Sequence, residues 1–481
     1  MFSLRTSLDH WRSGQGSLSE LPKKTDLQVF DNPAIFQSSR KVEEGFEVWV
    51  GEGTDPSSAT QKLEVRLGKT RAFDEFDGIR ITFIAHAAKP RLIISRTIGG
   101  NSPLYIATNG SRFHASWNFE EVVAVIDSPK PNADICRLVL EYGVGQTREQ
   151  IIQGMFALWP GEKATFDEDG LSFAICEDIQ VALPAPLSDR GRATDAFIEV
   201  VASVMQSRLT RSTRPLLEFS GGMDSTCVAL AASTIRSPLE CYGLIQPGAV
   251  GRQQRTRRRE LIELLGLTDH TGDSSAVLPL DTLSCDECRI TPYDDCYRMS
   301  IMSAFEANDL GTVDLVISGL GGDELAKEHT FWRYEWEVPG HASRSAMVSS
   351  MCNFDLFMKR GVWPLNPLAN PRVVHLCRSL PVSLLKNRQF NRLAIARAGL
   401  SDGYMSPRYH ETFANVLLMQ SLECDVDNIF EYSVLADFGI FDPSTLLSEI
   451  YEATELGLSI KLVGKIFYTA KLETVLKKYV N

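Results

Sequence analysis

The sequence predicts an α/β protein in two parts, a β-rich first part over residues 1–185 and a doubly wound parallel sheet over residues 186–481. Three observations carry that prediction. Between Val48 and Val125 the chain shows short β-branched, apolar runs, Ile79–Ile84, Arg91–Ser95 and Leu104–Ala107, with Asn109-Gly110 suited to a hairpin turn. These are the marks of a layered β domain ending near Phe173 to Val181. Next, Leu183 to Gly191 carries two prolines and several turn formers, which places a joint there. Beyond the joint, strand-like and helix-like stretches alternate. Phe197, Val200, Val201, Val204, Met205 and Leu209 recur at helical spacing and predict a helix from about Thr194 to Arg208. Strands are then predicted at Leu216–Phe219, Cys241–Ile245 and Val313–Ile317, with helices at Ser225–Ile235, Arg252–Leu265 and Tyr293–Asn308. Such alternation implies a parallel sheet with helices on both faces, because each crossover lays a helix across the sheet. A length of 481 residues also exceeds what one core usually organises.

Composition narrows the function classes. Apolar residues make up 44% and charged residues 23%, as in an ordinary folded globular protein. A net charge of −12 argues against nucleic acid and anionic membranes as partners, since both reward positive fields. Met1 to Trp11 has no apolar signal-like stretch, and no run of about 18 apolar residues occurs, so a cytoplasmic location is expected. The ten cysteines are too dispersed for a disulfide scaffold. Cys285, Cys288 and Cys296 cluster, yet no second half-site for zinc accompanies them.

The chemistry is concentrated in two loops. Ser220-Gly221-Gly222-Met223-Asp224-Ser225 follows a predicted strand and opens a predicted helix, the place where ligands bind in this architecture. Glycines allow close approach to an anion, and the helix N-terminus offers N–H groups and a favourable dipole, with the Ser220 and Ser225 hydroxyls as further donors. Asp224 shares the sign of a phosphate and needs a cation between them, for which Mg²⁺ is suited. A plain glycine-rich turn with Asp224 as a helix cap is the bland alternative. With ordinary residue frequencies this hexapeptide arises on the order of once per thousand chains of such length, which disfavours chance. Ser318-Gly319-Leu320-Gly321-Gly322-Asp323-Glu324 again follows a strand and again joins glycines to acid. On neighbouring strands the two loops would share a cleft, with Asp224 and Asp323 on one metal.

These residues resemble the asparagine synthetase superfamily, whose synthetase domain carries an S-G-G-x-D-S loop and a later S-G-x-G-x-D-E loop. The resemblance extends to Arg96–Tyr105, similar to the family's R-D-x-x-G-x-x-P-L-Y-Y segment, to Leu158-Trp159-Pro160-Gly161, and to Pro364–Pro381. It implies a glutaminase-like, Ntn-hydrolase-type first domain, degenerate here, and an ATP-pyrophosphatase synthetase domain second. It also implies ATP and Mg²⁺, with Phe219, Leu244, Ser318 and Gly319 at the nucleotide beside the first loop.

Two departures select a branch. Members that take ammonia from glutamine carry a cysteine directly after the initiator methionine, whereas Phe2 stands here and the first cysteine is Cys136. The third residue of the second loop is glutamate in asparagine synthetases and Leu320 here. Both departures suit an amine already carried by the substrate. The chain is therefore most similar to lasso peptide macrolactam synthetases, with β-lactam synthetases as relatives. That likeness implies a precursor core peptide as substrate, with a leader peptidase and a leader-binding protein as partners. An asparagine synthetase-like or β-lactam synthetase-like ligase acting on a small molecule is the alternative.

Those relatives place a lysine in a K-x-x-F segment near the C-terminus. The nearest match is Pro407–Phe413, which makes His410, or Arg408, the candidate catalytic cation, with Lys386 as a further option and an exposed polar loop as the bland reading. The basic run Arg252, Arg255, Arg257, Arg258, Arg259 reads as a solvated helix face or as a phosphate or acidic-peptide contact. Trp332, Tyr334 and Trp336 read as a partly buried edge or as a peptide-cavity wall.

Overall fold

A computed structural model of the chain describes residues 2–9, 25–42, 45–52, 78–84, 89–100, 102–142, 147–176, 190–277, 297–326, 353–378, 380–409, 411, 416–418, 426–456 and 460–480. His410, the cysteine cluster 285–296 and the aromatic residues 332–336 lie outside them.

The strands, in chain order, are β1 (Phe2–Ser7), β2 (Asp26–Val29), β3 (Ile35–Val42), β4 (Gly45–Glu52), β5 (Gly78–Ile84), β6 (Arg91–Arg96), β7 (Tyr105–Asn109), β8 (Arg112–Ser116), β9 (Met155–Ala157), β10 (Glu162–Asp167) and β11 (Gly170–Ile175), followed by five more. The first eleven form two antiparallel sheets, ordered β2-β1-β8-β7-β9 and β11-β10-β6-β5-β4-β3. Alternation sets how they pack. Phe2 and Leu4 of β1, Phe113 and Ala115 of β8, Ile79, Ile81 and Phe83 of β5, and Ala164 and Phe166 of β10 all point into one shared core. Phe113 and Phe166 meet across it with ring centroids 5.4 Å apart. The Asn109-Gly110 hairpin forms as its sequence predicts, with Gly110 at φ +56°. The outer face of the first sheet is covered by α1 (Phe119–Val123), α2 (Ala133–Tyr142) and the C-terminal helix Ile460–Tyr479, whose Leu472, Val475 and Leu476 complete a second core.

The second part is the predicted parallel sheet. Its strands are β12 (Pro215–Glu218), β13 (Glu240–Ile245), β14 (Thr268–Asp273), β15 (Leu315–Ile317) and β16 (Trp363–Leu365), in the order β14-β13-β12-β15-β16, all parallel. The helices are α3 (Arg190–Arg211), α4 (Met223–Ser233), α5 (Gly248–Leu265), α6 (Arg298–Ala307), α7 (Gly322–Ala326), α8 (Pro371–Arg378), α9 (Val382–Leu385) and α10 (Gln389–Arg397). The chain runs outward through β13 and β14, then returns to the other side of β12, so the topological switch point lies between β12 and β15. α3 buries Phe197, Val201, Val204, Met205 and Leu209, the residues whose spacing predicts it, and Phe197 stacks edge-on against Phe390 of α10 at 4.9 Å. Each such side chain contributes roughly 1.5–3 kcal/mol of gross burial.

Two strands of the parallel sheet have no counterpart in the sequence reading. β14, Thr-Asp-His-Thr-Gly-Asp, lacks any apolar run because it is an edge strand with mostly exposed side chains. β16 contains Pro364, which an edge position tolerates. The two parts meet through charge as well as packing. Glu52 of β4 pairs with Arg208 of α3 and accepts the Trp363 indole N–H at 2.7 Å, with Glu52 and Arg208 side chains each only 3% exposed. Asn32 Nδ2 donates to the carbonyls of Asp314 (3.1 Å) and Gly361 (2.8 Å). Among the described residues, no helix is long and apolar enough to cross a membrane.

Candidate functional site

The first glycine loop leaves β12 and enters α4 directly. Gly221 adopts φ +89°, a conformation that costs any other residue free energy, and a Cβ on it would lie 3.4 Å from Arg258 Cγ. Gly222 is the N-cap of α4 and brings no capping side chain, so the helix's opening N–H groups are left for another acceptor. The two serine hydroxyls sit 3.2 Å apart; Ser220 Oγ accepts from the Gly222 amide at 3.1 Å and Ser225 Oγ donates to the Gly222 carbonyl at 3.1 Å. The two hydroxyls thus brace the loop against its own backbone at a helix N-terminus, whose opening amides and dipole favour an anion.

The second loop leaves β15, the neighbour of β12, and closes on the first. A Cβ on Gly319 would come within 2.8 Å of the Ser225 amide nitrogen, and one on Gly322 within 2.2 Å of Asp224 Cγ. Only glycine permits this approach. Ser318, 1% exposed, donates through Oγ to Asn366 Oδ1 at 2.5 Å and accepts from the Leu320 amide at 3.2 Å. Asp224 and Asp323 therefore stand on opposite lips of one crevice, Asp224 with 16% of its side chain exposed and Asp323 with 56%.

Between them lies a cation that sequence reasoning does not single out. Arg388 Nη1 is 3.0 Å from Asp224 Oδ2, and its Nη2 pairs with Asp323 Oδ1. The second Asp224 oxygen accepts from Asn391 Nδ2 at 3.1 Å, and Asn391 is 1% exposed. Asn387 and Arg388 both adopt φ +53°, so two successive non-glycine residues are left-handed where the guanidinium is delivered. Lys386, the weighed basic alternative, is exposed and lies two residues away. The only sequence signal was the polar run Lys386-Asn387-Arg388 between apolar stretches, with nothing nearby to identify its partners.

Nearby protonation states are fixed by burial. Tyr404 donates or accepts with Thr226 Oγ1 at 2.5 Å, and burial raises its phenol pKa well above the ordinary value. Burial, reinforced by the Asp224 charge, likewise raises the Cys227 thiol. In both, burial favours the neutral form.

No known protein family matches the chain, and no curated protein matches its sequence. Among solved structures, a glutamine phosphoribosylpyrophosphate amidotransferase from B. subtilis complexed with ADP and GMP matches 66% of this chain and 75% of its own, at 11% identity and a TM-score of 0.19. An allosteric regulatory enzyme of purine biosynthesis matches 58% of this chain and 76% of its own, at 10% identity and a TM-score of 0.19. Likenesses at that score carry no argument about fold or activity.

The structure brings together Ser220, Gly221, Gly222, Asp224, Ser225, Ser318, Gly319 and Asp323. It does not bring the Phe219 side chain with them. Phe219 is fully buried in the main core beneath Arg258, whose guanidinium carbon lies 5.1 Å from the ring centroid, because a residue ending a central parallel strand is covered on both faces. Leu244, 8% exposed, belongs to the core with Tyr242 and Ile301. Phe219 and Leu244 are thus core side chains at the ends of their strands, the alternative to a contact with adenosine. The basic helix face divides as neither simple reading expects. Arg252, Arg255 and Arg259 are exposed, while Arg257 and Arg258 are buried, Arg257 with Glu411 at 2.8 Å and Arg258 with Asp269. Arg408 is exposed over the Tyr409 ring, and its segment is fastened to α5 by two Gln253 bonds to the Tyr409 backbone, each 2.9 Å.

The donor set suits Mg²⁺. Mg²⁺ is usually held by one or two carboxylates, with phosphate oxygens and water completing its octahedron. Asp224 and Asp323 are two carboxylates already spanned by one cation, and no group of three or more potential ligands occurs among the described residues.

Proposed function

We propose that the chain is an ATP-dependent, AMP- and pyrophosphate-forming amide ligase that closes a macrolactam in a lasso precursor peptide. The observation that carries this reading is the meeting of two strand-end glycine loops at the switch point, with Asp224 and Asp323 directed at one cation. A side-chain carboxylate of the core peptide attacks the α-phosphorus of ATP, the bond to the β-phosphate oxygen breaks, and pyrophosphate leaves. The Ser220–Ser225 loop and the first amides of α4 hold that pyrophosphate, and Ser318 and Gly319 hold the nucleotide. Mg²⁺, on Asp224 and Asp323, would neutralise charge on the phosphate oxygens.

The peptide's own α-amine then attacks the acyl carbon, and AMP departs as the mixed-anhydride C–O bond breaks; the amine's proton passes to solvent. An α-amine with an ordinary pKa of about 7.7–8.0 is already partly neutral near pH 7.5, so base catalysis is a light demand. Holding amine and acyl group in attack geometry replaces roughly 7–11 kcal/mol and is the heavier one. Leu320, half-buried in the second loop, offers apolar surface where free ammonia would need a polar partner. Arg408 or His410 is proposed to supply positive charge. The leader peptidase and leader-binding protein are proposed partners.

ATP–pyrophosphate exchange tests the reading. A precursor peptide should stimulate exchange and, with leader peptidase, yield a product lighter by one water. Stimulation by free aspartate but not by peptide would overturn it in favour of a small-molecule ligase.

A further inference from the structure

We infer that Arg388 is a resident counter-cation, holding the two carboxylates in place until Mg²⁺ displaces it and leaving the site once the nucleotide is bound. The inference rests on reading Asp224 and Asp323 as the MgATP carboxylates.

Geometry supplies the first reason. The guanidinium reaches both carboxylates at once, one through each terminal nitrogen, so it occupies the place between them where a bridging metal would sit. A guanidinium and Mg²⁺ cannot both fill that place. Charge supplies the second. Two carboxylates converging on one point repel each other, and the more so because Asp224 is mostly buried. Arg388 offsets that repulsion with a single positive charge, and a divalent ion offsets it fully.

The backbone supplies the third reason. Asn387 and Arg388 are consecutive left-handed residues between α9 and α10. Asparagine tolerates that conformation, whereas arginine adopts it at a cost. The two ion pairs offset that cost. Arg392 holds the turn from behind, Nε donating to the Asn387 carbonyl at 3.0 Å and Nη1 to the Met405 carbonyl at 2.6 Å, so release of Arg388 frees a side chain and relaxes one residue without unfolding its neighbours. Asn391 keeps its own bond to Asp224 throughout and preserves that carboxylate's orientation.

The test is Mg²⁺ binding without nucleotide, followed by thermal shift or calorimetry on the whole chain and on Arg388→Gln. The variant should bind Mg²⁺ at least tenfold more tightly and gain more in melting temperature from it, because nothing has to leave. Arg388→Lys, which keeps the charge but cannot span both carboxylates, should fall between, and it decides the matter if the glutamine variant is poorly folded. Equal or weaker Mg²⁺ binding by both variants overturns the proposal. If that happens while the unaltered chain still exchanges pyrophosphate, only the displacement idea fails. If the Mg²⁺ difference appears without any exchange, the cation place stands and the adenylate reading fails.

Discussion

The two ends of the parallel sheet use charged residues in opposite ways. At the amino end, Arg214 grips Glu240 with two bonds of 2.9 and 3.0 Å, and Glu240 also meets His270 at 2.9 Å. Asp314 accepts from the Thr213 amide at 2.7 Å, the Thr213 hydroxyl at 2.8 Å and the Ser212 hydroxyl. There each acid is matched to donors fixed by the start of a strand. At the carboxyl end, two acids converge on one arginine, that arginine sits on unfavourable backbone, and the loops need glycine to come so close. The amino end is arranged for stability. The carboxyl end spends stability to keep a place for something else, as binding sites commonly do.

The sharpest way to break this contrast is Asp224→Asn. Pyrophosphate exchange should fall about 100- to 1,000-fold, the scale of losing one preorganised electrostatic contact, while the melting temperature changes little, because the weakened pair with Arg388 is offset by relief of repulsion with Asp323. A large drop in melting temperature would make Asp224 a structural residue like those at the other end. Next in size is Asp314→Ala, which strands several donors and should destabilise the fold by about 2–3 kcal/mol in chemical denaturation, with exchange by the folded fraction unchanged.

The smallest effect is expected at Glu240→Gln, about 1 kcal/mol or less near pH 7, since the pair is partly exposed and screened. The Arg214 hydrogen bond, helped by His270 against the opposing effect of burial, lowers the Glu240 pKa to about 2. A depressed carboxyl stabilises the folded state above its ordinary value of 4.5 and loses that contribution as pH falls towards 2. The difference between the unaltered chain and Glu240→Gln should accordingly shrink on acidification below about pH 4.5, measured as unfolding free energy against pH. A difference that grows instead would reverse the assigned sign.

Much of the sheet and both loops was legible because each is local. Leu216–Phe219 and Cys241–Ile245 are apolar runs that parallel strands require, and the glycine loops follow them directly, so composition and position coincide. What was not legible is relational. Thr268–Asp273 becomes a strand only because β13 offers it a ladder, not through its own residues. Arg388 acquires meaning only when the fold carries it across 164 positions to Asp224. Phe219 reads equally as core or as a nucleotide contact, since adjacency to a site in sequence does not say how deep a side chain lies, and the fold buries it fully. Arg257 and Arg258 looked like surface because charge usually is, and they are buried because Glu411 and Asp269 come from elsewhere to meet them.

Glu52 bears on how the two parts depend on each other. A single carboxylate at the end of β4 satisfies Arg208 and the Trp363 indole, both belonging to the parallel part and both buried. Without the antiparallel layers, Arg208 and the Trp363 indole N–H would lose the one carboxylate they share, and the apolar face around them would be uncovered to water. The antiparallel layers therefore support the packing of the parallel part through Glu52, independently of any chemistry of their own.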